Sequence, residues 1–319
     1  MIRPVVSGSV EAEERTTLEL GWLTMSAAQP PETGRPEGSG AESPPAPVPA
    51  PPPPPIPPPP SAGAPVTQTP LWSGAPASDT VVERLPEATW KWWEALVVYV
   101  AANVVTAVVL VLMQAAGLID LTANDGPSYV ATLIVGELAF AICVLFWIRV
   151  VHGTAPLWVL GPPTQPLRDL AAGIPSGLGL YVLAFVVGVA VAYVYQLFTG
   201  HQPSSPDQVP LAVTGPWLWI TGFGVVFLAP FGEELLFRGM LYRGLRRGLA
   251  VWPAALISAA LFSLGHLQGW SFFVLLPPLF CVGVGLALLY ERRGSLLASM
   301  SAHATFNLIG FVFIFTSRR

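Results

Sequence analysis

Two adjacent carboxylates and a guanidinium lie in an apolar run: Glu233, Glu234 and Arg238 in FLAPFGEELLFRG, residues 227–239. Downstream, within further apolar runs, come His266, His303 and Asn307. A carboxylate beside an imidazole can take a proton from water. A second imidazole with an amide offers hydrogen bonds to an oxyanion. Charges at this depth cost about 2.5–3.5 kcal/mol each at the bilayer centre. Residues of these types are therefore candidates for chemistry rather than filler.

Spacing along helices divides the roles. Glu234 and Arg238 are i, i+4 and can pair on one face, whereas Glu233 points about 100° away and has no helical partner. It is the carboxylate left to face His266 or a water. His303 and Asn307 are again i, i+4, and so are Phe262 and His266, with Phe262 as an apolar wall. Counting rises from Arg247, Val251 and Arg293 places Glu233, His266, His303 and Asn307 all roughly 15–23 Å from the same membrane boundary. Three helices thus deliver carboxylate, imidazole and amide to one level. A structural clamp for Glu234–Arg238 and ordinary interhelical hydrogen bonds for the histidines are the plain alternatives. Two of the chain's four histidines fall at the glutamate level, which favours a shared site. His152 and His201 fall in loops and carry no expected chemistry. Glu137, in IVGELAF, is another intramembrane acid at similar depth. It either lines the same cavity or makes a structural hydrogen bond, and is not placed against the reacting groups.

The elements that must position these residues are helices in a membrane. The chain has 319 residues, 53% of them hydrophobic and only 11% charged, against about 25% charged in globular domains. Hydrophobic runs fall at about 93–118, 130–150, 171–198, 217–237, 252–267, 272–290 and 295–315. Most meet the length of about 20 residues that a spanning helix needs. The expected fold is an all-α, polytopic transmembrane bundle of about seven spans, eight at most. The run at 252–267 is short enough to be re-entrant. Residues 89–319 are expected to form this membrane domain.

Residues 1–88 differ sharply. They are rich in Pro, Ala and Gly, with near-continuous proline at 44–60, and are expected to form a disordered cytoplasmic tail. Nothing at the start resembles a signal peptide, and Met25 is an alternative start. Trp90-Lys91-Trp92-Trp93 reads as an interfacial anchor. Lys and Arg concentrate on the side of the tail and are absent from the loops at 119–129 and 200–216. That bias places the N-terminus in the cytoplasm. No basic block suggests nucleic acid, and Cys143 and Cys281 lie in apolar runs where neither a disulfide nor a cysteine metal site is expected.

The residues resemble the three signatures of the CPBP family, which comprises CAAX prenyl endopeptidases and bacteriocin-processing or immunity relatives. EExxxR stands as Glu233-Glu234-x-x-x-Arg238, FxxxH as Phe262-x-x-x-His266, and HxxxN as His303-x-x-x-Asn307. The resemblance covers about 215–315. It implies an intramembrane endopeptidase in which Glu233 activates water with help from His266. It further implies that His303 and Asn307 stabilise the oxyanion while Glu234 and Arg238 hold the site together. The expected substrate is a membrane-associated protein or peptide, and the expected surroundings a lipid bilayer. Family names often say metalloprotease, and Glu233, His266 and His303 could hold a zinc ion. No HExxH is present, however, and Glu234 would then have to act as base while paired to Arg238. Metal-independent chemistry with no cofactor is the favoured expectation. The rivals are a non-catalytic scaffold or immunity-type protein and a proton-coupled transporter.

Overall fold

The computed structural model describes residues 85–317, apart from residues 124, 157–159, 162, 164, 204–208, 268 and 269 and the side chains of 270–272. The Pro-rich segment to residue 84 and the alternative start at Met25 lie outside the described residues. All of the described secondary structure is helical. Six helices are long and apolar enough to cross a membrane: α1 (Trp92–Ala115), α2 (Gly126–Val151), α3 (Pro166–Thr199), α4 (Gly215–Arg246), α6 (Phe273–Arg293) and α7 (Leu296–Ser317). The seventh apolar helix, α5 (Val251–Gly265), has 15 residues. At 1.5 Å per residue it reaches about 22 Å, short of the ~30 Å hydrocarbon core. By length it falls short of a full crossing. The short run at 252–267 accounts for the difference between seven apolar runs and six spanning helices.

Local chemistry sets the helix ends. The Asp125 side chain accepts the Ser128 amide at 2.9 Å, capping α2 ahead of Pro127, a preferred N-terminal arrangement. Gly200 and Gly294 end α3 and α6 at φ 71° and 61°, where a Cβ would be strained. Helix packing relies on small residues, as expected where lipid gives no hydrophobic drive. Gly173 and Gly177 of α3 press against Ser301, Ala302 and Thr305 of α7, leaving no room for a Cβ at either glycine. Helix α7 carries His303, so this contact fixes the height of a site residue.

Polar contacts gather at the end where α1, α3 and α5 begin and α2, α4 and α6 finish. Arg243 donates to the Pro86 carbonyl and Arg247 to that of Trp90. Arg246 pairs with Glu291 at 3.0 Å, and Arg293 with Asp169 at 2.7 Å. Trp92 and Trp93 are half exposed, as an interfacial anchor requires, but Trp90 is fully buried and donates its indole N–H to Met240 O at 2.8 Å. His152 is likewise no bystander: its Nε2 lies 2.6 Å from Glu94 Oε2, which also accepts from Trp147 at 2.8 Å. These links tie α1, α2 and α4 together below the candidate site. His201, by contrast, is exposed.

Candidate active site

Helix α4 holds the two glutamates in a disturbed stretch of backbone. Its hydrogen bonds run in π register over Gly224–Leu228 and again over Leu235–Tyr242, with Ala229–Glu234 between. Such widened turns are often found at functional sites. Pro230 explains the first. The Ala229 N–H bonds Gly224 O, five residues back. The next carbonyl in that register, Val225 O, meets Pro230, which has no N–H to give. Asn307 supplies the missing donor, its side-chain amide reaching Val225 O at 2.8 Å. One turn earlier on α7 is His303.

Glu234 and Arg238 pair at 2.7 Å with both side chains fully buried. The guanidinium also donates to Gly283 O of α6 at 3.1 Å and lies 4.5 Å from the centre of the Phe262 ring. Glu234 Oε1 lies 3.1 Å from His303 Nδ1. An ionised carboxylate only accepts, so Nδ1 carries the proton and the imidazole is held edge-on. The EExxxR pattern thus acts as a four-helix tie through α4, α5, α6 and α7.

Phe262 does more than wall the site. Its ring packs against Arg238, His266 and His303 together, with ring centres 4.9 Å from His266 and 5.8 Å from His303. Its carbonyl is equally placed. Helix α5 stops at Gly265, and His266 Nδ1 lies 2.9 Å from Phe262 O, taking up an otherwise unpaired carbonyl of the last turn. A carbonyl cannot donate, so here too Nδ1 carries the proton. His266 Nε2 is left pointing inwards.

Both inward Nε2 atoms face Glu233. His266 Nε2 lies 3.7 Å from Glu233 Oε1, and His303 Nε2 lies 3.7 Å from Glu233 Oε2. These separations exceed direct hydrogen bonds, and Glu233 Oε2 is buried without a partner. Glu233 is therefore held among donors and acceptors but bound to none of them. Together with His266 it forms the inner end of a cavity of about 500 Å³ that runs between α1 and α2 to Leu121, Ala123 and Asp125.

The structure thus brings together Glu233, Glu234, Arg238, Phe262, His266 and His303, with Asn307 one turn away. Glu137 lines the same cavity rather than making a hydrogen bond. Gly283 and Val225 contribute through backbone carbonyls, which a reading of side-chain types could not find. Among the described residues, no group of three or more His, Cys, Asp or Glu side chains stands close enough to hold a metal ion. Glu234, the base that a Glu233/His266/His303 metal set would leave, has one oxygen shared between Arg238 and His303.

Comparison with known proteins places the stretch that carries these residues in a family. A family model described as Type II CAAX prenyl endopeptidase Rce1-like matches residues 215–309, which include all seven of the residues predicted for the site. An uncharacterized 24.3 kDa protein of Escherichia coli is 30% identical over 187 residues, covering 55% of this chain and 76% of the relative. The UPF0177 protein YbdI of Lactococcus lactis subsp. lactis is 28% identical over 143 residues, covering 43% and 74%. YpbD of Bacillus subtilis is 35% identical over 79 residues, covering 25% and 38%. No solved structure matches the chain. With the matched segment enclosing the whole glutamate–histidine cluster, and a relative covered over three quarters of its length, the chain belongs to the Type II CAAX prenyl endopeptidase Rce1-like family.

Proposed function

We propose that the protein is an intramembrane endopeptidase that hydrolyses a peptide bond in a membrane-associated protein or peptide, using water activated by Glu233. The observation that carries this reading is the 3.7 Å gap between Glu233 Oε1 and His266 Nε2, with His266 Nδ1 already committed to Phe262 O. With a neutral imidazole two acceptors face each other across that gap, and a water fits between them as donor. Glu233 takes one proton of that water while His266 accepts a hydrogen bond from the other. The oxygen attacks the substrate carbonyl, and the proton held on Glu233 passes to the leaving amine when the C–N bond breaks.

The oxyanion is assigned to His303, whose Nε2 lies 3.7 Å from Glu233 Oε2, and to Asn307 one turn along α7. His303 has Nδ1 committed to Glu234 and presents Nε2 towards Glu233. Asn307 has one amide proton committed to Val225 and one left to donate. Glu234 and Arg238 act by positioning, one holding His303 and the other bracing Phe262 and α6. Loop charge supports an orientation with the arginine-bearing end and the N-terminus in the cytoplasm.

The reading is metal-independent, because Glu234 is already engaged by Arg238 and His303 and is poorly placed to act as the base of a zinc site. The test is cleavage by purified protein after exhaustive chelation. Activity that survives chelation and disappears in Glu233→Gln supports both parts of the reading. Loss on chelation with zinc-specific recovery would overturn the metal-independent part. A Glu233→Gln variant that cleaves like the wild type would overturn the peptidase mechanism.

A further inference from the structure

The cavity that leads to Glu233 holds a second carboxylate with no assigned task. Glu137 of α2 is nine-tenths buried. Its Oε2 has no hydrogen-bond partner among the described residues, and the side chain lines the cavity. It lies beside the reacting groups. A Cβ placed on Gly232 would sit 2.7 Å from Glu137 O and 2.9 Å from its Oε2, so the carboxylate rests against the residue that precedes Glu233. A buried acid without a donor is costly, and this one survives without any protein group to satisfy it.

The rest of the wall has the same bias. Asn103 commits one amide N–H to Tyr99 O at 2.8 Å, leaving its oxygen and a second N–H. Thr106 and Thr132 commit their hydroxyl protons to Ala102 O and Ser128 O, leaving acceptors as well. Tyr99 stacks on Phe140 at 5.6 Å, and both face the cavity. None of the lining residues described is Lys or Arg. A space with three carboxylates, Asp125, Glu137 and Glu233, several further acceptors and an aromatic wall suits a group rich in N–H donors and positively charged.

We infer that Glu137 is a substrate-recognition residue that binds a basic side chain, guanidinium or ammonium, within a residue or so of the cleaved bond. This rests on the peptidase reading for its placement but not for its binding test. The substrate chain enters past Asp125 between α1 and α2 and seats its cation on Glu137, and that contact brings the neighbouring carbonyl to Glu233.

The experiment compares acetyl-arginine methylamide with its neutral near-isostere acetyl-citrulline methylamide, titrated against the full chain in nanodiscs. The wild type is expected to bind the arginine probe at least about tenfold more tightly, the scale of one charge-assisted contact. Glu137→Gln is expected to bring the two affinities together, and Glu137→Asp to keep part of the preference, which also covers the case in which the glutamine variant folds poorly. Equal binding of both probes by the wild type overturns the inference, as does a preference that persists in Glu137→Gln. Paired membrane-anchored peptides with Arg or citrulline next to the cleaved bond give the second readout. Cleavage of both at one rate overturns the inference. Cleavage of neither, with the binding preference intact, supports the cation site and counts against the peptidase reading.

Discussion

Asn307 donates its side-chain amide to the carbonyl of Val225, a bond made necessary by Pro230 five residues further along α4. A motif residue on the last helix thus repairs a defect created by a proline on the fourth. Asn307→Ala leaves that carbonyl unpaired and is expected to cost about 1–3 kcal/mol of stability. In Pro230→Ala the chain regains an N–H at that position, so the loss from Asn307→Ala shrinks. A double-mutant cycle on thermal unfolding reads this directly; strict additivity would refute the link.

Arg238 makes every one of its described contacts inside the protein. Removing one partner of a buried ion pair leaves the other charge stranded, at about 3–5 kcal/mol. Glu234→Gln and Arg238→Met are each expected to lower the melting temperature sharply. The double variant is expected to recover much of the loss in stability while staying impaired in turnover, because a neutral amide oxygen holds His303 less firmly than a carboxylate does. Thermal melts of the three variants check this.

Gly232 and Gly283 sit where helices touch through backbone. A methyl on Gly232 would press on the Glu137 carbonyl, and one on Gly283 would lie 2.9 Å from Ala259 Cα. Neither neighbour is a flexible side-chain end. Gly232→Ala is therefore expected to push α2 from α4 and to reduce both stability and activity, whereas Gly310→Ala, with nothing within 4 Å, is expected to be tolerated. Melting temperatures of the two variants side by side decide it.

Phe262→Leu keeps an apolar side chain but removes the ring shared by Arg238, His266 and His303. Its backbone carbonyl still holds His266. Turnover is expected to fall more than stability, with the cation–π contact worth about 0.5–2 kcal/mol. Equal folding and equal turnover in the leucine variant would show that the ring has no positioning role.

Much of this was legible from residue types and spacing. The i, i+4 pairing of Glu234 with Arg238, the isolation of Glu233 and the common depth of the two histidines follow from helix geometry, because a membrane helix offers few alternatives to regular rise and turn. The short run at 252–267 also announced a helix too brief to span. What could not be read are contacts made through backbone atoms. The Gly283 carbonyl under Arg238, the Phe262 carbonyl on His266 and the Val225 carbonyl on Asn307 have no side-chain signature. Pro230 was the one visible hint of the last, since a proline within a helix always leaves a carbonyl to be satisfied. Trp90 departs from the expected anchor for a similar reason: it shares its residue type with Trp92 and Trp93, yet turns inward to Met240.

The central claim is that Glu233 activates the attacking water while the other motif residues hold it in place. Its most direct measurement is the comparison of membrane-protein N- and C-termini in cells carrying the wild type and cells carrying Glu233→Gln, the variant chain being present at equal abundance. At least one membrane-associated precursor is expected to accumulate uncleaved in the variant, with turnover down by about 10²–10⁴-fold for loss of a general base. Identical termini in the two strains, together with wild-type cleavage by the purified variant, would contradict it.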